Sequence, residues 1–363
     1  MYMSAVEQQE TTAPPPLGVG ILGAGPVTQA IHLPTLARLT HTFFVAHVMD
    51  VDAGIAESVA GRVGARFSTS VQKLLADPEV EVVVICSPHQ FHAEQVIAAC
   101  RAGKRAILCE KPFAMSGEEA ARISEVSTET GVPIIVGAMH TFDPGWKAAE
   151  EAWGDLADTA HTLRSSIVLP PNPRFEDFAT EVINRPVTPP AAPDLRDPTV
   201  LENSIRGGVM GLAIHDLPLV RRFVPSFTDL EVLCAEALEP FGYLILAQAD
   251  GRNVDLQAVM SDSWEPEWTF EAFSDTKSLR VTFTPSYVQA GSAVAEISDG
   301  EKTQVFGPFD ANGYEAEWQF LALLARGEAS PPSADTLIQD LQFALAIADA
   351  AASAALKRQE AAA

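Results

Sequence analysis

The residues best suited to chemistry in this 363-residue chain are Glu110-Lys111-Pro112, directly after the apolar run Ala106 to Cys109. Well upstream, Gly23-Ala24-Gly25 follows the short apolar run Leu17 to Leu22, and Asp50 follows a second one, Phe43 to Met49. A lysine held at the mouth of a nucleotide-binding sheet can orient or deprotonate a substrate hydroxyl beside a redox cofactor. Burial next to a cationic ring lowers its pKa from about 10.4 towards the working pH, where general-base catalysis is efficient. Glu110 can accept a bond from that lysine or from a ribose, and Pro112 stiffens the backbone that carries it. The combination points to dehydrogenase chemistry.

The glycines supply the other half of the argument. Gly23 and Gly25 let the chain turn tightly and approach a pyrophosphate, whose charge then meets the amides that open the next helix at Pro26 and Val27. Thr28 stands at the third position of G-x-G-x-x-G, so the motif alone is a weak signal. Its place after a strand and before a helix, with an acid ending the following strand, is stronger. A carboxylate at Asp50 pairs with the free 2′-hydroxyl of NAD and repels a 2′-phosphate. Val51 and Asp52 provide no arginine to offset it, so NAD is expected and NADP is less favoured.

Positioning these groups requires a particular architecture. Apolar runs at Leu17 to Leu22, Phe43 to Met49, Glu81 to Cys86, Ala106 to Cys109 and Ile134 to Val136 alternate with helical patterns at Pro26 to Leu39, His92 to Ala102 and Gly117 to Thr130. Alternation of this kind gives a doubly wound parallel sheet with ligands at the carboxyl ends of its strands. Ser87, Pro88, His89 and His92 then fall beside the nicotinamide, and His140 and Asp143 at the substrate. After Pro144 the alternation stops. A Pro-rich stretch from Pro170 to Pro198 reads as an irregular excursion, a lid or an oligomer contact. Helical spacing follows from Val209 to Phe223. Six runs between Leu230 and Ser298 read as an antiparallel sheet, with helices at Tyr314 to Arg326 and Asp335 to Lys357 closing the chain. The expected division is a disordered tail over 1–16, a nucleotide-binding domain over 17–140 and a substrate-binding and oligomerisation α/β domain over 141–363.

Composition excludes several classes. Twenty-four basic against 48 acidic residues leave a formal charge of −24, which gives no footprint for nucleic acid or anionic membranes. No apolar run reaches the ~20 residues that span a bilayer, and the start lacks a secretory pattern, so a cytoplasmic protein is expected. Cys86, Cys100, Cys109 and Cys234 lack CxxC spacing and read as buried thiols, with no metal and no disulfide.

Cys109-Glu110-Lys111-Pro112, Cys86-Ser87-Pro88-His89-Gln90-Phe91-His92, Gly131-Val132-Pro133 ahead of Val136-Gly137, and Gly207-Gly208 leading to His215 resemble the Gfo/Idh/MocA oxidoreductases over nearly the whole chain after the tail. The resemblance implies a Rossmann domain joined to an α/β domain with a large open, mostly antiparallel sheet, assembly as a homodimer or homotetramer, and a sugar, cyclitol or related polyol as substrate. It makes Lys111 the catalytic lysine and His215 the histidine that exchanges a proton with the reacting oxygen. One departure stands out. Gly211 occupies the position, four residues before His215, where many members carry an aspartate on the same helical face. Asp216 is turned by roughly 100° from its neighbour in a helix and is not expected to replace it. Thr141, where related sequences often have a basic residue, is a milder departure.

The leading reading is an NAD-dependent dehydrogenase for a secondary alcohol, or reductase of the matching ketone. Two alternatives stay open: a nucleotide-binding regulatory protein that has lost catalysis, favoured by Gly211, and a glycosidase that oxidises its substrate only transiently. A methyltransferase leaves Lys111 without a task and ranks last.

Overall fold

The computed structural model describes residues 14–185, 193–262 and 265–362. Most of the expected tail and residues 186–192 of the Pro-rich stretch lie outside them. Strands β1 (Leu17–Leu22), β2 (Phe43–Met49), β3 (Arg66–Ser68), β4 (Val82–Ile85), β5 (Ala106–Glu110) and β6 (Ile134–Gly137) form one sheet in the order β3-β2-β1-β4-β5-β6. Every pairing in it is parallel. Parallel strands need helices on both faces, which explains why β1 and β4 are buried at every position rather than alternately. Each fully buried Val or Ile in them contributes about 1.5–3 kcal/mol. Helices are delimited locally: Asp52 caps Ala53–Val63, Ser116 caps Gly117–Thr130, and Gly64 and Gly131 end them in left-handed conformations.

A second sheet follows, built from β7 (Thr162–Leu169), β8 (Glu231–Ala237), β9 (Gly242–Ala249), β10 (Arg252–Met260), β11 (Glu267–Phe273), β12 (Ser278–Thr282), β13 (Val294–Ser298) and β14 (Thr303–Phe306). Its order is β14-β13-β12-β11-β7-β10-β9-β8, antiparallel except between β7 and β10. The inner face packs Trp268, Phe270 and Tyr243 against Trp146, Phe223 and Phe343 in one core. The outer face carries charge, with Arg164 between Asp255 and Glu271 and Arg280 beside Glu267 and Glu271. The last helix, Ala334–Ala362, joins the halves: Leu341 belongs to the core of the first sheet, Phe343 and Ile347 to that of the second.

Three expectations required correction. The stretch after Pro144 holds β7 and a helix, Pro173–Ala179; Arg164, Ser165 and Ser166 dilute the apolar alternation of β7 and conceal it. The Val209 to Phe223 pattern is not one helix. Pro198–Gly211 stops at Leu212 (φ −115°), a short 3₁₀ turn spans Ala213–His215, and Leu217–Arg221 begins afresh with Pro218 in its first turn, where a missing N–H costs nothing. The short strands β3 and β14 were also missed, because three or four residues carry little periodicity. Among the described residues no helix is long and apolar enough to cross a membrane.

Candidate active site

The glycine turn lies between the carboxyl ends of β1 and β4. Gly23 has φ +92°, and a Cβ there would lie 2.6 Å from the Ser87 amide nitrogen, so only glycine fits. Thr28 is buried and its hydroxyl donates to the Gly23 carbonyl at 2.6 Å, closing the turn by a hydrogen bond. At Gly25 a Cβ would meet nothing within 4 Å, which leaves an open face between the turn and half-buried Pro26 and Val27. Asp50 accepts from the Ala24 amide at 2.8 Å and from the Asp52 amide at 3.0 Å. Each of its oxygens retains a lone pair for a ribose hydroxyl. The open face and the placed acid fit a dinucleotide. Gln29 adds a link that sequence did not reveal: its amide binds the Ala24 carbonyl (2.8 Å) and both the N–H and the C=O of Ile183, pinning the excursion to the turn.

Lys111 leaves the end of β5 through a cis peptide to Pro112. Its Nζ donates to the Gly211 carbonyl at 3.0 Å, so the first sheet and the segment leading to His215 meet here. Burial lowers the lysine's pKa from its ordinary value, and the neighbouring Glu110 charge opposes that shift. Glu110 is tied in turn: Oε1 lies 3.0 Å from His32 Nε2 and Oε2 accepts from the Lys111 amide at 3.3 Å. Burial disfavours its charge, but the His32 contact and Lys111 outweigh that and hold the carboxyl below the usual range.

The state of His32 follows from its neighbours. Burial opposes a charge on it, whereas Cys86 and Glu110 favour one. The indole decides: Trp318 Nε1 lies 3.1 Å from His32 Nδ1 and can only donate, so Nδ1 is the acceptor and the ring proton sits on Nε2, facing Glu110.

His215 is buried, and its Nδ1 has no hydrogen-bond partner among the described residues. Burial, Lys111 and His140 push its pKa well below the ordinary value, leaving a neutral ring packed edge-on to Trp268. His89 is exposed at the rim, where loss of surrounding water, Lys111 and His92 bring it down to about 4. Ser87 and Pro88 flank it, with the Ser87 hydroxyl donating to Gln95 at 2.6 Å.

Other residues expected here have partners of their own, His140 while lying 6.2 Å from His215 between ring centres. His92 is fully buried, with Nδ1 2.7 Å from the Pro112 carbonyl and Nε2 2.7 Å from that of Ser87; it braces the loops around the cofactor face rather than lining it. Asp143, buried, caps helix Pro144–Ala152 through the Gly145 amide (2.8 Å) and accepts from the Ala293 amide (3.0 Å), so backbone donors engage both of its oxygens. His140 is stacked on Phe283 at 3.8 Å between ring centres and bonded through Nδ1 to Asp216 at 2.8 Å. Asp216, fully buried, also accepts from Ser165 (2.6 Å) and Trp268 (2.8 Å); it opens a new helical segment rather than sharing a helix with His215. Sequence reasoning missed His32, Trp318, Ser165 and Trp268, whose partners lie far away along the chain. Among the described residues no group of three or more His, Cys, Asp or Glu is placed to hold a metal.

Residues 17–138 match the sequence model of the Gfo/Idh/MocA family, described as an oxidoreductase family with an NAD-binding Rossmann fold. Inositol 2-dehydrogenase 3 of Saccharopolyspora erythraea is 27% identical over 336 residues, 87% of each chain. Inositol 2-dehydrogenase 2 of the same organism is 37% identical over 132 residues, 36% of this chain and 38% of that one. The solved UDP-N-acetylglucosamine 3-dehydrogenase GnnA of Acidithiobacillus ferrooxidans shares the fold at a TM-score of 0.70, with 19% identity over 93% of this chain and 98% of that one. The family model covers the first domain and the two-sheet architecture is shared with the solved neighbour, so the chain is similar to the Gfo/Idh/MocA oxidoreductases, whose NAD-binding Rossmann fold its residues 17–138 carry.

Proposed function

We propose that the protein is an NAD(P)-dependent dehydrogenase acting on a secondary alcohol, or the corresponding ketone, of a sugar, cyclitol or related polyol. The observation that carries this reading is the contact between Lys111 Nζ and the Gly211 carbonyl, which brings the lysine of one domain to the segment of the other that holds His215. When bound, a nicotinamide dinucleotide supplies the two-electron partner that takes a hydride from the substrate carbon or returns one. The chain's residues manage the proton. Lys111 donates to the reacting oxygen and orients it; neutral His215 takes up the proton that leaves that oxygen. Gly23, Gly25, Pro26 and Val27 would hold the pyrophosphate, and Asp50 the adenosine ribose.

Asp50, with exposed Val51 and the capping carboxylate Asp52 beside it, favours a free 2′-hydroxyl and therefore NAD over NADP. Four unpaired cysteines suit a reducing compartment such as the cytoplasm. The broad outer face of the second sheet suits assembly into a homodimer or homotetramer, which sedimentation would read. The function is tested by following nicotinamide absorbance while cyclitols, polyols and keto-sugars are screened. Tight NAD binding with no turnover of any of them would replace this reading with the regulatory one, which Gly211 favours.

A further inference from the structure

The charges around the cleft are unevenly arranged. Every carboxylate flanking Lys111 and His215 among the described residues is committed inward: Glu110 to His32 and its own chain, Asp143 to Ala293 and Gly145, Asp216 to His140, Ser165 and Trp268. Around them stand the lysine's N–H groups beyond the one given to Gly211, and histidines 89 and 215, which are neutral at ordinary pH. An oxidised nicotinamide adds a further positive charge. Beside Lys111 lies unused room, because a Cβ on half-buried Gly211 would meet nothing within 4 Å. The negative end of helix Pro198–Gly211 is already offset there by the lysine. The cleft therefore supplies donors and positive charge and lacks an exposed anion.

We propose that the substrate itself brings the missing anion: it is a polyol or sugar acid whose carboxylate lies over Gly211 against the Lys111 ammonium. This deepens the dehydrogenase reading and rests on it. The overall charge of −24 does not forbid such a ligand, since at physiological salt exposed charges are screened beyond about 8 Å while the Lys111 contact is local and partly dry. A carboxylate, planar and singly charged, matches the space a short acidic side chain at 211 would take.

The test compares hexuronates and aldonates with their uncharged primary amides as substrates of the full-length protein with NAD. The acids should exceed the amides in kcat/KM by at least about tenfold, the size expected for one close charge pair in a partly buried site. Gly211→Asp should abolish that preference by repelling the acid, whereas Gly211→Asn, of the same size without the charge, should keep it. Amides turned over as well as acids, or a preference unchanged in Gly211→Asp, would overturn the proposal. Binding gives a readout independent of turnover: hexuronate, but not its amide, should raise the melting temperature of the NAD-loaded protein, and should fail to do so in Gly211→Asp. If that shift appears without any oxidation, the dehydrogenase reading falls while the acid-binding site stands. Equal shifts for acid and amide sink the site.

Discussion

Two buried histidine–carboxylate pairs, His32 with Glu110 and His140 with Asp216, have similar distances, 3.0 and 2.8 Å, and an indole beside each. They differ in where the indole points. Trp318 donates to the histidine, fixes its tautomer and leaves Glu110 at the base of Lys111, with its side chain 13% exposed. Trp268 donates to the carboxylate and, with Ser165, ties its second oxygen into the core of the second domain. The same chemical pair thus supports the working lysine in one place and knits the second core in the other. Donor placement, rather than residue type, separates the roles.

The largest expected effect sharpens the first pair. Lys111→Ala should lower kcat/KM by about 10²–10⁴-fold, the usual range for a group that manages proton transfer, with NAD affinity changed little. Unaltered turnover would remove the lysine from the chemistry and leave Glu110 supporting nothing.

Next comes stability. Asp216→Ala strands the Trp268 and Ser165 donors and the His140 ring in a dry core, and should cost roughly 3–5 kcal/mol in urea unfolding at neutral pH. Glu110→Ala, beside a cleft that water can enter, should cost about 1–3 kcal/mol. If the order is reversed, the distinction between the pairs is wrong.

A smaller, pH-dependent effect follows from His215. Its folded-state pKa is depressed, so below about 6.5 the unfolded chain binds a proton that the folded one refuses. Stability is therefore complete above that pH and declines as pH falls, by at most about 1.4 kcal/mol per unit from this group. Unfolding free energies at pH 7.5, 6.5 and 5.5 should show a shallower acid slope in His215→Gln than in the parent.

The smallest effect concerns Glu317. This side chain is fully buried, neither oxygen has a hydrogen-bond partner among the described residues, and burial together with Glu110 raises its pKa well above the ordinary value. A raised carboxyl favours the folded state below about 4.5 and loses that advantage as pH rises. Glu317→Gln should accordingly gain melting temperature over the parent, and the gain should grow from pH 5 to pH 8. A gain that shrinks over that interval would mean the carboxyl finds a charged partner in solution.

Much of the first domain was legible because local signals suffice there. Gly23 is dictated by a positive φ and a backbone 2.6 Å away, and Asp50 and Lys111 stand where their strands end. The partners of His92, His140 and Asp143 were not legible for a common reason: proximity to the site along the chain does not reveal what a side chain bonds to. The break between Gly211 and His215 was hidden in the same way, since apolar spacing runs through a helix end without changing.

Sequence by itself determined the alternating first sheet, the turn that admits a dinucleotide, the lysine at the end of β5 and the surplus of acid. Those features rest on backbone sterics, strand and helix periodicity and composition, all of which act over a few residues. Tertiary structure alone decided which carboxylates face the cleft. His32 meets Trp318 across 286 positions and Asp216 meets Trp268 across 52, so the direction of each acid depends on donors that only the folded chain brings near.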